Sequence, residues 1–302
     1  MADPLDPNEL FGHVEDAPGF HLPRFLAPEG SHGHVHIPQP FQLDKPLIEM
    51  NTGNDLIDNT IQPLDLVITK FMVLELLVAI VIAVCFIGLA KSLKGGTSAR
   101  GRLWNILEVF LLFIRDDVAR PCIGKHDANR FMPFLWTIFL FVLGCNLVGM
   151  VPWMGSPTGS LAVTGALAFI AFSVVVGAGM AKLGVVGFWK AQVPQMELPG
   201  PVAVLLVPMI FVIEVLGLFI KHGVLAIRLL ANMMAGHVVL AVIVGFIGTS
   251  AAAGLGIWGS VTIASVLGAT ALSLLELFTA FLQAYIFTFL SALFIGAAVH
   301  PH

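Results

Sequence analysis

Along this chain, long apolar runs alternate with short basic loops, and the last two runs contain charged residues where hydrocarbon should reject them. Residues 1 to about 63 are polar and contain scattered proline and histidine, a composition that fits a loosely ordered segment outside a membrane. From Leu66 to Ala90 the chain is apolar for about 25 residues, enough to cross a bilayer with some tilt. Glu75 lies inside that run, facing protein or close to an end. Leu103 to Val118 shows helical apolar spacing but is short for a span. It is bounded by Arg102 and by Arg115, Asp116, Asp117 and Arg120, so an amphipathic helix lying along the interface is expected. Pro121 and Gly124 should break it. Phe131 to Val151 and Leu161 to Met180 read as two further spans joined by a short turn at Gly155–Ser160. Trp153 suits the interfacial aromatic belt.

After a proline-rich loop at Pro194–Pro201 come Val202–Gly248 and Ile257–Ala298, each about twice the roughly 20 residues that a span requires. Each stretch is either two spans folded back, at Lys221-His222-Gly223 and near Gly268, or one long, strongly tilted helix. The turn cluster GTSAAAGLG at 248–256 has no counterpart inside either stretch, which favours two long helices joined there.

Composition agrees with this pattern. Hydrophobic residues make up 57% of the chain and charged residues 11%, against about 25% charged in soluble domains, so the fold class is an all-α integral membrane protein. About five membrane helices and one interfacial helix are expected. The division is a polar His-containing tail at 1–65 and a membrane domain at 66–302. The net charge of −4 says little, because most acidic residues lie in the tail. Lys91, Lys94, Arg100 and Arg102 follow the first span, and Lys182 and Lys190 follow the third. The positive-inside rule therefore places the N-terminus outside and the C-terminus in the cytoplasm. MADPLDPNEL has neither a basic n-region nor an apolar h-region, so the first membrane helix is the expected targeting signal. Cys85, Cys122 and Cys145 lie in or beside apolar runs without C-x-x-C spacing and read as small core residues. His32, His34 and His36 alternate, so a strand there would put three imidazoles on one face, a potential metal site. No carboxylate or cysteine completes that site nearby, which favours a solvated tail; no metal or other cofactor is expected.

The candidate chemistry is a polar stripe. Glu214, Lys221 and Arg228 are spaced by seven, and Asn232 is four past Arg228, so all four share one helix face. His237, nine past Arg228, lies on the opposite side. In the last stretch Glu276 and Gln283 are seven apart and share a face, and Glu276 is the only acidic residue after Glu214. No Lys or Arg follows Arg228. A guanidinium in hydrocarbon costs about 3 kcal/mol on insertion scales and about 10 or more in simulations. One salt bridge from Arg228 to Glu276 or Glu214 would account for two of these residues, whereas an ion or proton path accounts for all of them. Asn146, a lone polar residue in the second span, fits either a helix–helix hydrogen bond or that path.

LAIRLLANMMAGH at 225–237, LELFTAFLQAYIFTFLSALF at 275–294 and FVLGCNLVGMVP at 141–152 resemble subunit a of the F-type ATP synthase, the membrane stator facing the rotating c-ring. The resemblance covers roughly 66–298, and joining the Arg-Leu-x-x-Asn-x-x-Ala-Gly block to the Gln-Ala-x-x-Phe block is highly specific. It implies that Arg228 is the essential charge barrier, Asn232 its companion and Gln283 the glutamine facing it. It places His237 and Glu276 in the proton-access channel, with the two residue types exchanged relative to some members, as in the mitochondrial type. Glu214 and Lys221 match polar positions towards the cytoplasm, and Asn146 a position near the outer channel. The family's long tilted helices favour single helices over folded-back spans. The implied partners are c-ring proteolipids, peripheral-stalk b subunits and the lipid bilayer, with no nucleic acid. The implied location is the cell inner membrane. The implied activity is proton translocation by a subunit that has no active site for ATP. The tail carries none of the family's motifs. A secondary cation/proton antiporter is the rival class, but the inverted repeats and interrupted helices such transporters show are not visible.

Overall fold

The computed structural model describes residues 17, 19–21, 34–39, 68–93, 101–151, 154–193 and 200–300, with the backbone alone for 20, 21, 34–36, 200–205 and 253. The rest of the tail, Lys94, Arg100, Pro152, Trp153 and most of the Pro194–Pro201 loop lie outside the described residues. The described residues begin with two short strands, β1 (Gly19–His21) and β2 (His34–His36), paired antiparallel. The segment is held by hydrogen bonds to the start of the first membrane helix. Lys70 N–H donates to Ala17 O at 3.0 Å. The Gln39 side chain donates to Ile68 O and accepts from Ile68 N–H, both at 2.8 Å.

The helices follow as α1 (Lys70–Leu93), α2 (Arg102–Phe113), α3 (Arg120–Ile123), α4 (Ala128–Gly149), α5 (Leu161–Leu183), α6 (Val185–Ala191), α7 (Gly200–Ser250) and α8 (Leu255–Val299). Among the described residues, α1, α4, α5, α7 and α8 are long and apolar enough to cross a membrane. The chain is therefore an all-α membrane protein apart from the small ribbon.

The choice left open for the long stretches is resolved in favour of single helices. α7 runs 51 residues and α8 45. At about 1.5 Å per residue they are about 77 and 68 Å long, more than twice the roughly 30 Å hydrocarbon core. Both must tilt or lie partly outside it. They meet in the expected turn, where Gly254 takes φ 94°, a conformation that favours glycine.

α2 behaves as an interfacial helix. None of its residues is buried, and Leu103, Ile106, Val109 and Leu112 are all exposed. It is tied to the bundle by Trp136, whose ring N–H donates to Leu111 O at 2.9 Å, and by Phe110 and Phe113 against Phe139, Phe281 and Tyr285. The helix does not break at Pro121. Ile114–Ala119 form a π-helical turn, and Pro121 then sits in the first turn of α3, where its missing N–H costs nothing. Gly124, at φ 96°, ends the segment.

The core lies between α4, α5, the middle of α7 and the C-terminal half of α8, around buried Leu135, Val142, Leu225, Leu229, Phe287 and Ile295. Between Met233 and Glu276, Ser265 is the only described side chain that is buried. That α7–α8 arm presents apolar side chains outward instead. At the opposite end of the bundle, Asp127 accepts a hydrogen bond from Lys182 at 2.8 Å and sits 3.3 Å from His300 Nε2. The Lys182 hydrogen bond, with the nearby positive charges, holds the Asp127 carboxyl below the usual carboxylate range.

Candidate functional site

The core face of α7 sets the position of its polar residues. Leu225, Leu229 and Met233 are buried, while Ile220, Val224 and Ile227 are exposed. The stripe of Glu214, Lys221, Arg228 and Asn232 runs along one border of the buried face, and half-buried His237 lies along the other. Arg228 is half-buried. Its Nε is buried without a hydrogen-bond partner, and no carboxylate lies within ion-pair distance of it among the described residues. A structural ion pair from Arg228 to Glu214 or Glu276 is therefore absent. Gln283 is half-buried on α8 and makes no hydrogen bond to Arg228 among the described residues.

Two cavities flank Arg228 along α7. One, of about 270 Å³, is lined by Glu214, Leu218 and Lys221 of α7, by Val175 and Leu183 of α5, and by Phe294 of α8. The other, of about 190 Å³, is lined by Asn232, Gly236 and Val239 of α7 and by Leu272, Glu276 and Thr279 of α8. Arg228 is seven residues past Lys221 and four before Asn232, about 10 and 6 Å along the axis. The structure therefore groups Glu214 with Lys221 on one side of the arginine, and Asn232 with Glu276 on the other.

Glu276 is buried, and its Oε1 has no hydrogen-bond partner; the same holds for His237 Nε2 and Asn232 Nδ2. His237 and Glu276 make no direct hydrogen bond. Glu276 reaches this depth because position 236 has no side chain. A Cβ there would stand 2.7 Å from Glu276 Oε1 and 3.1 Å from its Cδ.

Asn146 is fully buried. Its Nδ2 donates to Ala280 O of α8 at 3.3 Å, and its Oδ1 accepts from the Thr158 hydroxyl at 2.8 Å, which lies 3.0 Å from Ser156 Oγ. It thus forms the helix–helix bond that was one of its two readings. It does so on the α8 segment between Glu276 and Gln283.

The sequence reading had not singled out Ser156, Thr158, Gly236 or His222. The two hydroxyls sit in a turn whose pattern carries no functional signal. Gly236 lies inside the block 225–237, but only the partner helix shows what a side chain there would meet, the Glu276 carboxyl. His222 had been considered only as a turn position. It is buried, with Nδ1 2.8 Å from Leu218 O, Nε2 unpartnered, and its ring against Phe172 and Phe294. Among the described residues no three His, Cys, Asp or Glu side chains come together as metal ligands.

Residues 72–296 match the family described as ATP synthase A chain. The chain is 44% identical to the ATP synthase subunit a of Myxococcus xanthus over 79% of its own length and 76% of that protein. It is 40% identical to the ATP synthase subunit a of Chloroherpeton thalassium over 78% of its length and 67% of that protein. With the protein of that name from Nitrobacter hamburgensis it shares 36% identity over 73% of its length and 85% of the relative.

Proposed function

The chain belongs to the ATP synthase A chain family, and on that premise we propose that its two cavities are aqueous half-paths to opposite membrane faces, with Arg228 the charge barrier between them. Family membership makes it a multi-pass membrane subunit that translocates protons in the membrane sector of an F-type ATP synthase, and the antiporter reading has no support. The observation that carries the proposal is the placement of Arg228 between the two cavities, with its guanidinium unpaired by any carboxylate of the described chain.

The moving carboxylate belongs to a partner. A c-ring proteolipid carboxylate must be neutral to cross lipid, because a bare charge there is costly. In our reading a proton enters from outside past Asn146, His237 and Glu276 and neutralises that carboxylate, which rotates away. After almost a full turn it releases the proton towards Glu214 and Lys221 and the cytoplasm. Arg228 stabilises the ionised carboxylate in between. Its charge is permanent, so it also repels a proton leaking straight across. Asn232 and Gln283 flank that meeting point. Each proton moved down 100 mV contributes about 2.3 kcal/mol to rotation. The exposed apolar faces of α7 and α8 are where the c-ring and lipid would lie, with b subunits alongside and no ATP site on this chain. The outward N-terminus and inward C-terminus rest on the positively charged loops after α1 and α5.

Sided accessibility tests the proposal. In a complex lacking Cys85, Cys122 and Cys145, single cysteines at Val239 and Leu218 are treated with a membrane-impermeant thiol reagent. Val239→Cys should react from outside only and Leu218→Cys from the cytoplasm only. Reaction of both from one side overturns the assignment.

A further inference from the structure

Among the described residues His222 is the only buried histidine, and the proton path drawn above does not use it. Three helices meet around its ring. The centroid lies 5.4 Å from that of Phe172 on α5 and 5.1 Å from that of Phe294 on α8, and Nδ1 lies 2.8 Å from Leu218 O one turn back on α7. All three contacts fall at the inner end of the cavity of about 270 Å³. On α5 that cavity is lined from Leu183, the last residue of the helix, inward to Val175, and Phe172 is one turn further in. On α8 it is lined from Ala298 inward to Phe294. On α7 it is lined from Glu214 to Lys221, and His222 follows. His222 therefore closes the end of the cavity nearer to Arg228, which is six residues on, about 9 Å along the axis.

Packing does not require an imidazole at this place. A phenyl ring would fill the space between Phe172 and Phe294, whereas Nε2 is a buried polar atom without a hydrogen-bond partner, and leaving such an atom unpaired costs stability. Towards Arg228 the buried face of α7 continues with Leu225 and Ala226, which cannot carry a proton. Lys221 is the charged neighbour on the same helix. α5 has no titratable side chain before Lys182, and α8 has none between Glu276 and His300 except Tyr285.

We propose that His222 is a proton-relay residue at the inner end of the half-path lined by Glu214 and Lys221, passing protons between water beside Arg228 and water in the cavity. The proposal rests on reading that cavity as the path to the cytoplasm. With Nδ1–H donating to Leu218 O, Nε2 is the free acceptor. It takes the proton of a hydronium formed when the c-ring carboxylic acid ionises, which leaves water and an imidazolium. It then releases that proton to a cavity water, which restores the neutral ring in the same tautomer. A space of about 270 Å³ is several times the roughly 30 Å³ share of one water, so a water chain fits between His222 and Glu214.

The test is ATP-driven proton pumping by the intact complex in inverted vesicles, as wild type, His222→Phe and His222→Gln. The pH at the cytoplasmic face is varied from about 5 to 8, the range in which imidazoles titrate. Both variants should assemble and pump at least about 10-fold more slowly near neutral pH. A positioned acid–base group contributes about 100-fold or more, and water in the cavity takes over part of the transfer. The loss should change with pH, whereas a packing defect lowers the rate by one factor throughout. Wild-type pumping in His222→Gln overturns the relay, since glutamine keeps a hydrogen-bonding group but does not titrate. A loss of the same size at every pH overturns it as well. If His222→Phe does not assemble, His222→Gln alone decides. Leu218→Cys, labelled in the same vesicles, separates the relay from the path beneath it. Its reaction from the cytoplasmic face, with His222→Gln unimpaired, overturns the relay alone. Its reaction only from the outer face overturns the relay together with the half-path.

Discussion

Replacing Gly236 by alanine perturbs the path through one atom. The added Cβ would stand 2.7 Å from Glu276 Oε1, 3.1 Å from Cδ and 3.5 Å from Cγ. Ordinary contact requires about 3.4 Å or more, so the carboxyl end must move by about 0.7 Å while the Cγ stays. The obstructing atom is the tip of a flexible side chain, so the backbone need not shift. Rotating a side chain some 30° from its preferred setting costs about 0.5–1.5 kcal/mol, which lowers occupancy of the original carboxyl position by roughly 2- to 10-fold. The complex should therefore assemble, and passive proton flux through vesicles stripped of the catalytic head should fall by about that factor. Gly236→Ala with Glu276→Asp, whose shorter side chain withdraws from the Cβ, should regain part of the loss. Unchanged flux at normal complex levels would refute a role for the carboxyl's seat against Gly236. Loss of the complex would refute the claim that the displacement is cheap. Gly296→Ala is the contrast, because there a Cβ meets the backbone carbonyl of Cys122, which cannot swing away, so assembly itself should suffer.

The other expectations concern charge and position. Arg228→Lys should fail in ATP synthesis, since an ammonium lacks the planar fork and deprotonates more readily when buried; synthesis at wild-type rate would count against the barrier role. Exchanging His237 and Glu276 should restore more passive proton flux than either single change leaves, and no rescue argues against their working as a pair. His222→Phe keeps the ring packing against Phe172 and Phe294 but removes the unpartnered nitrogen, so thermal stability should hold within about 1 kcal/mol; a larger fall shows that the bond to Leu218 O is the reason for the histidine. Asp127 has a depressed carboxyl pKa, so its contribution to stability is present above the unfolded value near 3.8 and is lost as pH falls through the folded value. Asp127→Asn should flatten the acid limb of a stability–pH curve in detergent, and an unchanged limb removes Asp127 from that role.

Much of this architecture was legible because a bilayer leaves few alternatives. Apolar length gave the spans, and the absence of a turn signal inside 202–248 and 257–298 gave two long helices, since a fold-back in hydrocarbon would need polar backbone to be satisfied. Heptad spacing placed Arg228 apart from His237, because on a continuous helix that spacing is geometry. What lay beyond the sequence depends on a second element. Gly236 is explained only by Glu276 of α8, and Asn146 only by Thr158 and Ala280 O. The interfacial helix was expected to break at Pro121, but a π-helical turn carries the chain past it.

The central claim is that Arg228 separates two proton paths. ATP synthesis driven by an imposed proton gradient in vesicles carrying the Arg228→Ala complex tests it most directly. The complex should assemble and bind its catalytic head, and synthesis should be absent. Synthesis at the wild-type rate in that variant would contradict the barrier.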